Sequence, residues 1–200
     1  MGLITRALRA AYWQPMGRYL DWRFGRSDPP WIENRFKANG AFQHYSYHYP
    51  AVAQTMRLVD VCPDDVLVDV GCSAGRVLNW WLHAYPHNRI AGIELDPQIG
   101  GATAARLLAF KNARVFVGDA VELTPVDATI CYLANPFNGD MLARWQTAVL
   151  ARCQQLRLLV YVNPKFREAL NSQAWSFTFH GDIEPQVLLC ERHAATSLPL

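Results

Sequence analysis

The chain lacks any C-x-x-C pair, and its five cysteines (Cys62, Cys72, Cys131, Cys153, Cys190) are odd in number and scattered. This argues against a disulfide framework and a structural zinc site, and it fits a reducing compartment, so a cytoplasmic location is expected. No apolar run approaches the ~20 residues that a membrane-spanning helix needs. The opening MGLITRALRAAYWQPMGRYL has no acid and no continuous apolar core, so it does not read as a secretory signal. Arg6 stands where a Gly2 myristoylation sequence wants Ser or Thr. Internal repeats and low-complexity tracts are also absent. The net charge of +2 is too small to indicate a partner by itself.

What is present is unevenly distributed. Residues 1–50 hold seven basic side chains against three acids, and eleven of the twenty-four aromatics. Pro15 and SDPP (27–30) read as breaks within this stretch. Residues 1–49 are therefore expected to form a helical, irregular segment that packs on the rest or covers a site. Residues 50–200 form the main domain. Within it, Pro50 suits the first turn of a helix over AVAQTMRLVDV (51–61).

From there strand and helix patterns alternate. Strands are expected at 66–70, 89–95, 113–119, 128–135, 156–163, 175–180 and 185–193. Helices are expected at 76–85, 96–110, 139–155 and 164–172. VLVDV (66–70) is short and β-branched, as in a buried parallel strand. Asp96 followed by Pro97 is an N-cap and first-turn pair. Such alternation indicates a doubly wound α/β sheet, mostly parallel, with helices on both faces. The short turn around Gly181-Asp182 makes the last two strands an antiparallel hairpin. With the N-terminal helical extension this is the expected architecture. Ligands bind such sheets at the carboxyl ends of the strands, near the switch in strand order.

The strand ends carry a set of polar residues. After the first comes DVGCSAG, with Asp69, Gly71, Cys72, Ser73 and Gly75. It is neither G-x-G-x-x-G nor G-x-x-x-x-G-K-[ST]. Its glycines permit a sharp exit, and the helix start that follows favours a carboxylate-bearing group. An acid before the loop suits an ammonium and opposes a pyrophosphate. After the second strand, Glu94 and Leu95 stand in GIELD, nineteen residues beyond Gly75. An acid at about that spacing accepts from ribose hydroxyls. After the third comes VGDA, where Asp119 and Ala120 are placed to meet an exocyclic amine. After the fourth comes NPF, where Asn135 offers a carbonyl and an amide, and Phe137 a flat wall. Asp119 alone is as readily a helix cap. After the fifth, Asn163 reads as a helix cap beside Lys165. Together the first four ends describe a ligand with a cationic amino-acid end, a ribose and a base, without phosphate.

At these residues the chain resembles the class I S-adenosylmethionine-dependent methyltransferases. The resemblance spans about residues 50–193. It implies S-adenosylmethionine as cofactor, held by backbone around Gly71–Gly75, by Glu94 at the ribose and by Asp119 at the adenine. NPF is similar to the Asn/Asp-Pro-Pro-aromatic signature of nitrogen methyltransferases, without its second Pro. Asn135 is then the first candidate to orient the acceptor, and Tyr47, with Tyr45, His44 and His48, the second. The acceptor (protein, nucleic acid or small molecule) and the oligomeric state are not read from the sequence. The other readings are a non-catalytic S-adenosylmethionine-binding or scaffold protein on the same fold, and an NAD-type oxidoreductase. The missing third glycine and the acid before the loop disfavour the oxidoreductase.

Overall fold

The computed structural model describes residues 3–25 and 48–193, the first eight of these by backbone alone. The helices are α1 (Leu3–Phe24), α2 (Tyr49–Met56), α3 (Arg76–Ala84), α4 (Pro97–Leu107), α5 (Ala120–Leu123) and α6 (Gly139–Arg152). The strands are β1 (Val66–Val70), β2 (Arg89–Glu94), β3 (Ala113–Val117), β4 (Ile130–Leu133), β5 (Leu158–Val162), β6 (Trp175–His180) and β7 (Val187–Arg192). They form one seven-stranded sheet in the order β3-β2-β1-β4-β5-β7-β6. Strands β1 to β5 pair in parallel, and β7 runs antiparallel to both β5 and β6. The order reverses between β1 and β4. This is the expected mostly parallel sheet with its antiparallel hairpin.

Strand alternation sends side chains to two cores. Leu67, Ile90, Ile130, Tyr132, Val160 and Leu189 face the cluster that contains Leu20 of α1, Val52 of α2, Leu78 and Trp81 of α3 and Leu107 of α4. Val68, Ile93, Cys131, Leu133, Leu159 and Leu188 face the cluster built on Leu142, Trp145 and Val149 of α6. Strand β3 lies at the sheet edge, and its residues are correspondingly half-buried or exposed.

Local patterns meet tertiary packing at several points. Pro15 does not break the chain: α1 runs through it. Proline removes one intrahelical N–H bond. Trp13, Met16, Leu20 and Phe24 nevertheless form one face packed on the first core, which holds the helix across the gap. Helix α2 ends at Met56, short of Val61, and turn bonds from Leu58 to Thr55 and from Val59 to Met56 follow. The helix expected over 164–172 is a single 3₁₀ turn, Arg167–Ala169. Gln146 of α6 donates to the Ala169 carbonyl and accepts from the Asn171 N–H, fixing that turn from outside. Phe166 stands at the N-cap position of that turn, while Asn163 adopts φ 46° and donates its N–H to the Gln186 carbonyl.

At the sheet's opposite end, Asp65 is buried. Its carboxylate accepts from Arg157 Nη2 at 2.6 Å and Nε at 3.1 Å, from Thr129 Oγ1 at 2.7 Å and from the Cys62 N–H at 2.7 Å. Burial alone would raise its pKa, but the hydrogen bonds outweigh burial and hold it below the ordinary carboxylate value. A depressed folded pKa stabilises the fold above the unfolded value of about 4, and that contribution is lost as pH falls through the folded pKa. Asp65→Asn is expected to lower stability by about 1–3 kcal/mol at pH 7. Denaturant titrations at pH 7 and pH 3 check it: the gap between variant and wild type should narrow at the lower pH.

Candidate functional site at the switch in strand order

The exit from β1 is pinned to the end of β2 by successive backbone groups. The Gly71 and Cys72 N–H groups both donate to the Ile93 carbonyl at 2.9 Å. The Ser73 N–H donates to Glu94 Oε2 at 2.8 Å, and the Gly75 N–H to the Cys72 carbonyl at 2.8 Å. Four N–H groups of the expected cradle are therefore engaged within the protein. The loop carbonyls are also taken. Thr103 Oγ1 donates to the Ser73 carbonyl at 3.1 Å, and Arg106 Nη2 to the Ala74 carbonyl at 2.7 Å. The Ser73 hydroxyl is buried and has no hydrogen-bond partner among the described residues.

The glycines serve packing as well as conformation. Gly71 has φ 79°, and a Cβ there would lie 2.8 Å from Cβ of Pro136, so the loops after β1 and β4 touch across the switch. Gly75 has φ 75°, and a Cβ there would lie 2.8 Å from Arg106 Nη2 and 2.9 Å from Thr103 Cγ2. Side chains are strained at such φ whatever the space.

Two carboxylates stand side by side at this edge. Asp69 is 2% exposed and Glu94 4%. The Glu94 oxygens accept from the Ser73 N–H and, at 2.9 Å, from the Asp96 N–H. Asp69 pairs in register with Gly92 of β2 and Tyr132 of β4. Burial, and then the charge of Glu94, push the Asp69 carboxyl well above the ordinary range. Burial, Asp69 and Glu94 likewise push the Cys72 thiol up, so it stays protonated and is no nucleophile. A Cβ at Gly92 would lie 2.7 Å from Cys72 Sγ, so Gly92 is the space that the thiol occupies.

The remaining expected residues divide. Leu95 is half-buried beside Glu94, and Asp96 caps α4 by accepting from the Gln98 and Ile99 N–H groups. Asp119 caps α5, accepting from the Val121 N–H at 2.8 Å, with its other oxygen 3.7 Å from Arg144 Nη2. Ala120 is the buried first residue of α5. Asn135 adopts φ 57° and is buried, and its Oδ1 accepts from the Tyr161 hydroxyl at 3.0 Å. Burial raises the Tyr161 pKa to about 12, so the hydroxyl keeps its proton. Phe137 joins the second core. It is 8% exposed and packs on Trp145 with ring centroids 6.0 Å apart. Lys165 is exposed, as is His48, which precedes α2. Tyr47, Tyr45 and His44 lie outside the described residues.

Residues that the strand-end pattern did not disclose hold this edge together. Arg106, Asn79, Thr103 and Tyr161 sit within apolar stretches (AARLLAF, VLNWWL, GGATAA, LLVYV). The available signal was a polar group at a core position of a helix or strand, which must find a partner when buried.

Asp69 carries a testable consequence. Its folded pKa lies above the unfolded one, so its destabilising effect is absent below about pH 4 and grows with pH up to the folded value. Ligand-free Asp69→Asn protein should unfold at a higher temperature than wild type at pH 8 and at nearly the same temperature at pH 4.5. Thermal unfolding at both pH values checks this. An equal shift at both would show that ionisation is not the cause.

No family model matches the sequence, and a search of curated proteins finds no match. Solved structures do match. The RNA methyltransferase from Salinibacter ruber, in complex with S-adenosyl-L-homocysteine, is similar over 78% of this chain and 97% of its own, with 19% identity and TM-score 0.59. TrmN from Thermus thermophilus is similar over 71% of this chain and 48% of its own, with 18% identity and TM-score 0.55. RosA from Streptomyces davawensis, an N,N-8-amino-8-demethyl-D-riboflavin dimethyltransferase, is similar over 72% of this chain and 54% of its own, with 13% identity and TM-score 0.59. The chain thus spans about half the length of TrmN and RosA and nearly all of the Salinibacter ruber protein. It shares the fold of these methyltransferases.

Proposed function

We propose that the chain is an S-adenosylmethionine-dependent methyltransferase that acts on an amine. The observation that carries this reading is the set of groups gathered at the β1–β4 switch. It comprises two adjacent buried carboxylates and a buried Ser73 hydroxyl without a hydrogen-bond partner among the described residues. Buried polar atoms without partners are rare in native proteins and point to a ligand. A cationic group would stabilise an ionised Asp69 beside Glu94, and an acceptor or donor would satisfy the Ser73 hydroxyl. A pyrophosphate would add negative charge. A cationic amino-acid group fits Asp69, a carboxylate fits the Ser73 hydroxyl, and ribose hydroxyls fit the Glu94 carboxylate. Asp119, with Ala120 and Leu95 beside it, is assigned to the base.

The cofactor supplies an electrophilic methyl group on a sulfonium. The protein's work is to align the acceptor behind that methyl and to exclude water. A neutral amine needs no strong base. Asn135 is assigned to orient it. Tyr161, which donates to Asn135 Oδ1, fixes the amide and leaves one lone pair on that oxygen for the acceptor's N–H. Tyr47 remains the second candidate contact to the acceptor. RosA, a dimethyltransferase named for an amino-riboflavin, supports an amine as acceptor. The division into residues 1–49 and 50–200, with the first covering the site, belongs to the same proposal, supported by the packing of α1 on the first core. So does a cytoplasmic location, supported by five free cysteines. No helix among the described residues is long and apolar enough to cross a membrane.

Incubation with methyl-labelled cofactor and cell extract, separated into protein, RNA and small-molecule fractions, tests the activity. Label should enter one fraction; none in any fraction removes the catalytic reading. Glu94→Gln keeps one of the two acceptors that the backbone needs and should weaken cofactor binding about ten- to a hundredfold. Asn135→Ala should slow turnover on the order of a hundredfold while cofactor affinity stays within about twofold. If Asn135→Ala instead loses affinity and keeps turnover, the roles are misassigned.

A further inference from the structure

The glycine loop is joined to the N-terminal part of the chain through one side chain. Arg106 of α4 is half-buried. Its Nη2 donates to the Ala74 carbonyl at 2.7 Å. Its Nη1 donates to the Phe24 carbonyl, to the Gly25 carbonyl at 3.3 Å and to Asn79 Oδ1 at 2.8 Å. Phe24 ends α1, where the last carbonyls lack intrahelical partners. The guanidinium donates to the last of them, the Phe24 carbonyl, and to the Gly25 carbonyl beyond the helix.

Two glycines are shaped around the same side chain. Gly25 has φ 85°, and a Cβ there would lie 2.5 Å from Arg106 Cδ. Gly75 has φ 75°, and a Cβ there would lie 2.8 Å from Arg106 Nη2. The arginine thus passes between the end of α1 and the end of the glycine loop, and neither glycine tolerates a side chain while it does. Asn79 of α3 extends the cluster: its Nδ2 donates to the Gly25 carbonyl at 3.0 Å and to the Tyr49 hydroxyl oxygen at 3.2 Å. The Tyr49 hydroxyl in turn donates to Asp21 Oδ1 at 2.6 Å. Gly25 and Tyr49 therefore both belong to this cluster.

We infer that Arg106 is a positioning residue that couples occupancy of the glycine loop to the seating of the chain at Phe24–Gly25 and Tyr49. A guanidinium is planar and rigid, so its two ends do not adjust independently. A ligand that fixes the Ala74 peptide fixes the plane of Arg106, and with it the carbonyls that end α1. Reciprocally, loosening the end of α1 weakens the loop's hold on its ligand by the same factor. The inference rests on the loop binding the cofactor.

Hydrogen exchange of the full-length protein, with and without saturating S-adenosylhomocysteine, tests it. In the wild type the ligand should slow exchange of amides over 20–25 and 49–53 as well as those of the loop. In Arg106→Met the ligand should bind about tenfold more weakly by calorimetry and, at saturation, protect the loop alone. Arg106→Lys, which keeps the charge and part of the hydrogen bonding, should protect 20–25 to an intermediate degree. It carries the test if the Met variant does not fold. Equal protection of 20–25 in wild type and Arg106→Lys would overturn the inference. So would wild type that binds the ligand with no change at 20–25, and in both cases the cofactor reading survives. Wild type that does not bind S-adenosylhomocysteine removes the cofactor reading and this inference together.

Discussion

The buried Glu94 carboxylate is the constraint on which the site depends. One of its oxygens accepts from the Ser73 N–H and the other from the Asp96 N–H. That single group ties the loop leaving β1 to the start of α4. Without it two buried backbone donors would be orphaned, a penalty of about 1–3 kcal/mol each. With it, Ser73 is held at φ 48°, and the chain can enter α3 through Gly75. Beside it Asp69 is forced toward its neutral form. The Glu94 carboxylate therefore sits where the strand order reverses.

This electrostatic argument separates the candidate ligands more sharply than the glycine count. A dinucleotide site uses free loop N–H groups to meet a pyrophosphate. Here the N–H groups of Gly71, Cys72, Ser73 and Gly75 are all engaged within the protein. What the loop retains is a buried hydroxyl at Ser73, next to two carboxylates. That combination favours a cation with a polar tail. The fold shared with the methyltransferases agrees with this reading, and the local chemistry is what argues it.

Much of the architecture was legible because periodicity and burial agree along the strands. VLVDV reads as a fully buried strand and is one, with every residue buried. Asp96-Pro97 reads as a helix start and is one. The failures lie where tertiary contacts override local signals. Pro15 sits inside a helix that packing sustains, and the helix expected after Pro164 is reduced to one turn tied to Gln146. The supporting groups were the least legible. Nothing in AARLLAF announces that its arginine reaches back to residue 24, because that contact joins elements far apart in the chain. The roles given to Asp69, Glu94, Asp119 and Asn135 rest on placement and chemistry, and ligand binding is what tests them.

Calorimetric titration of the folded wild-type protein with S-adenosylmethionine tests the central claim most directly. The account predicts saturable binding at one site, with a negative heat-capacity change from burial of the base and ribose. Folded protein that gives no binding heat at any of several temperatures would contradict it.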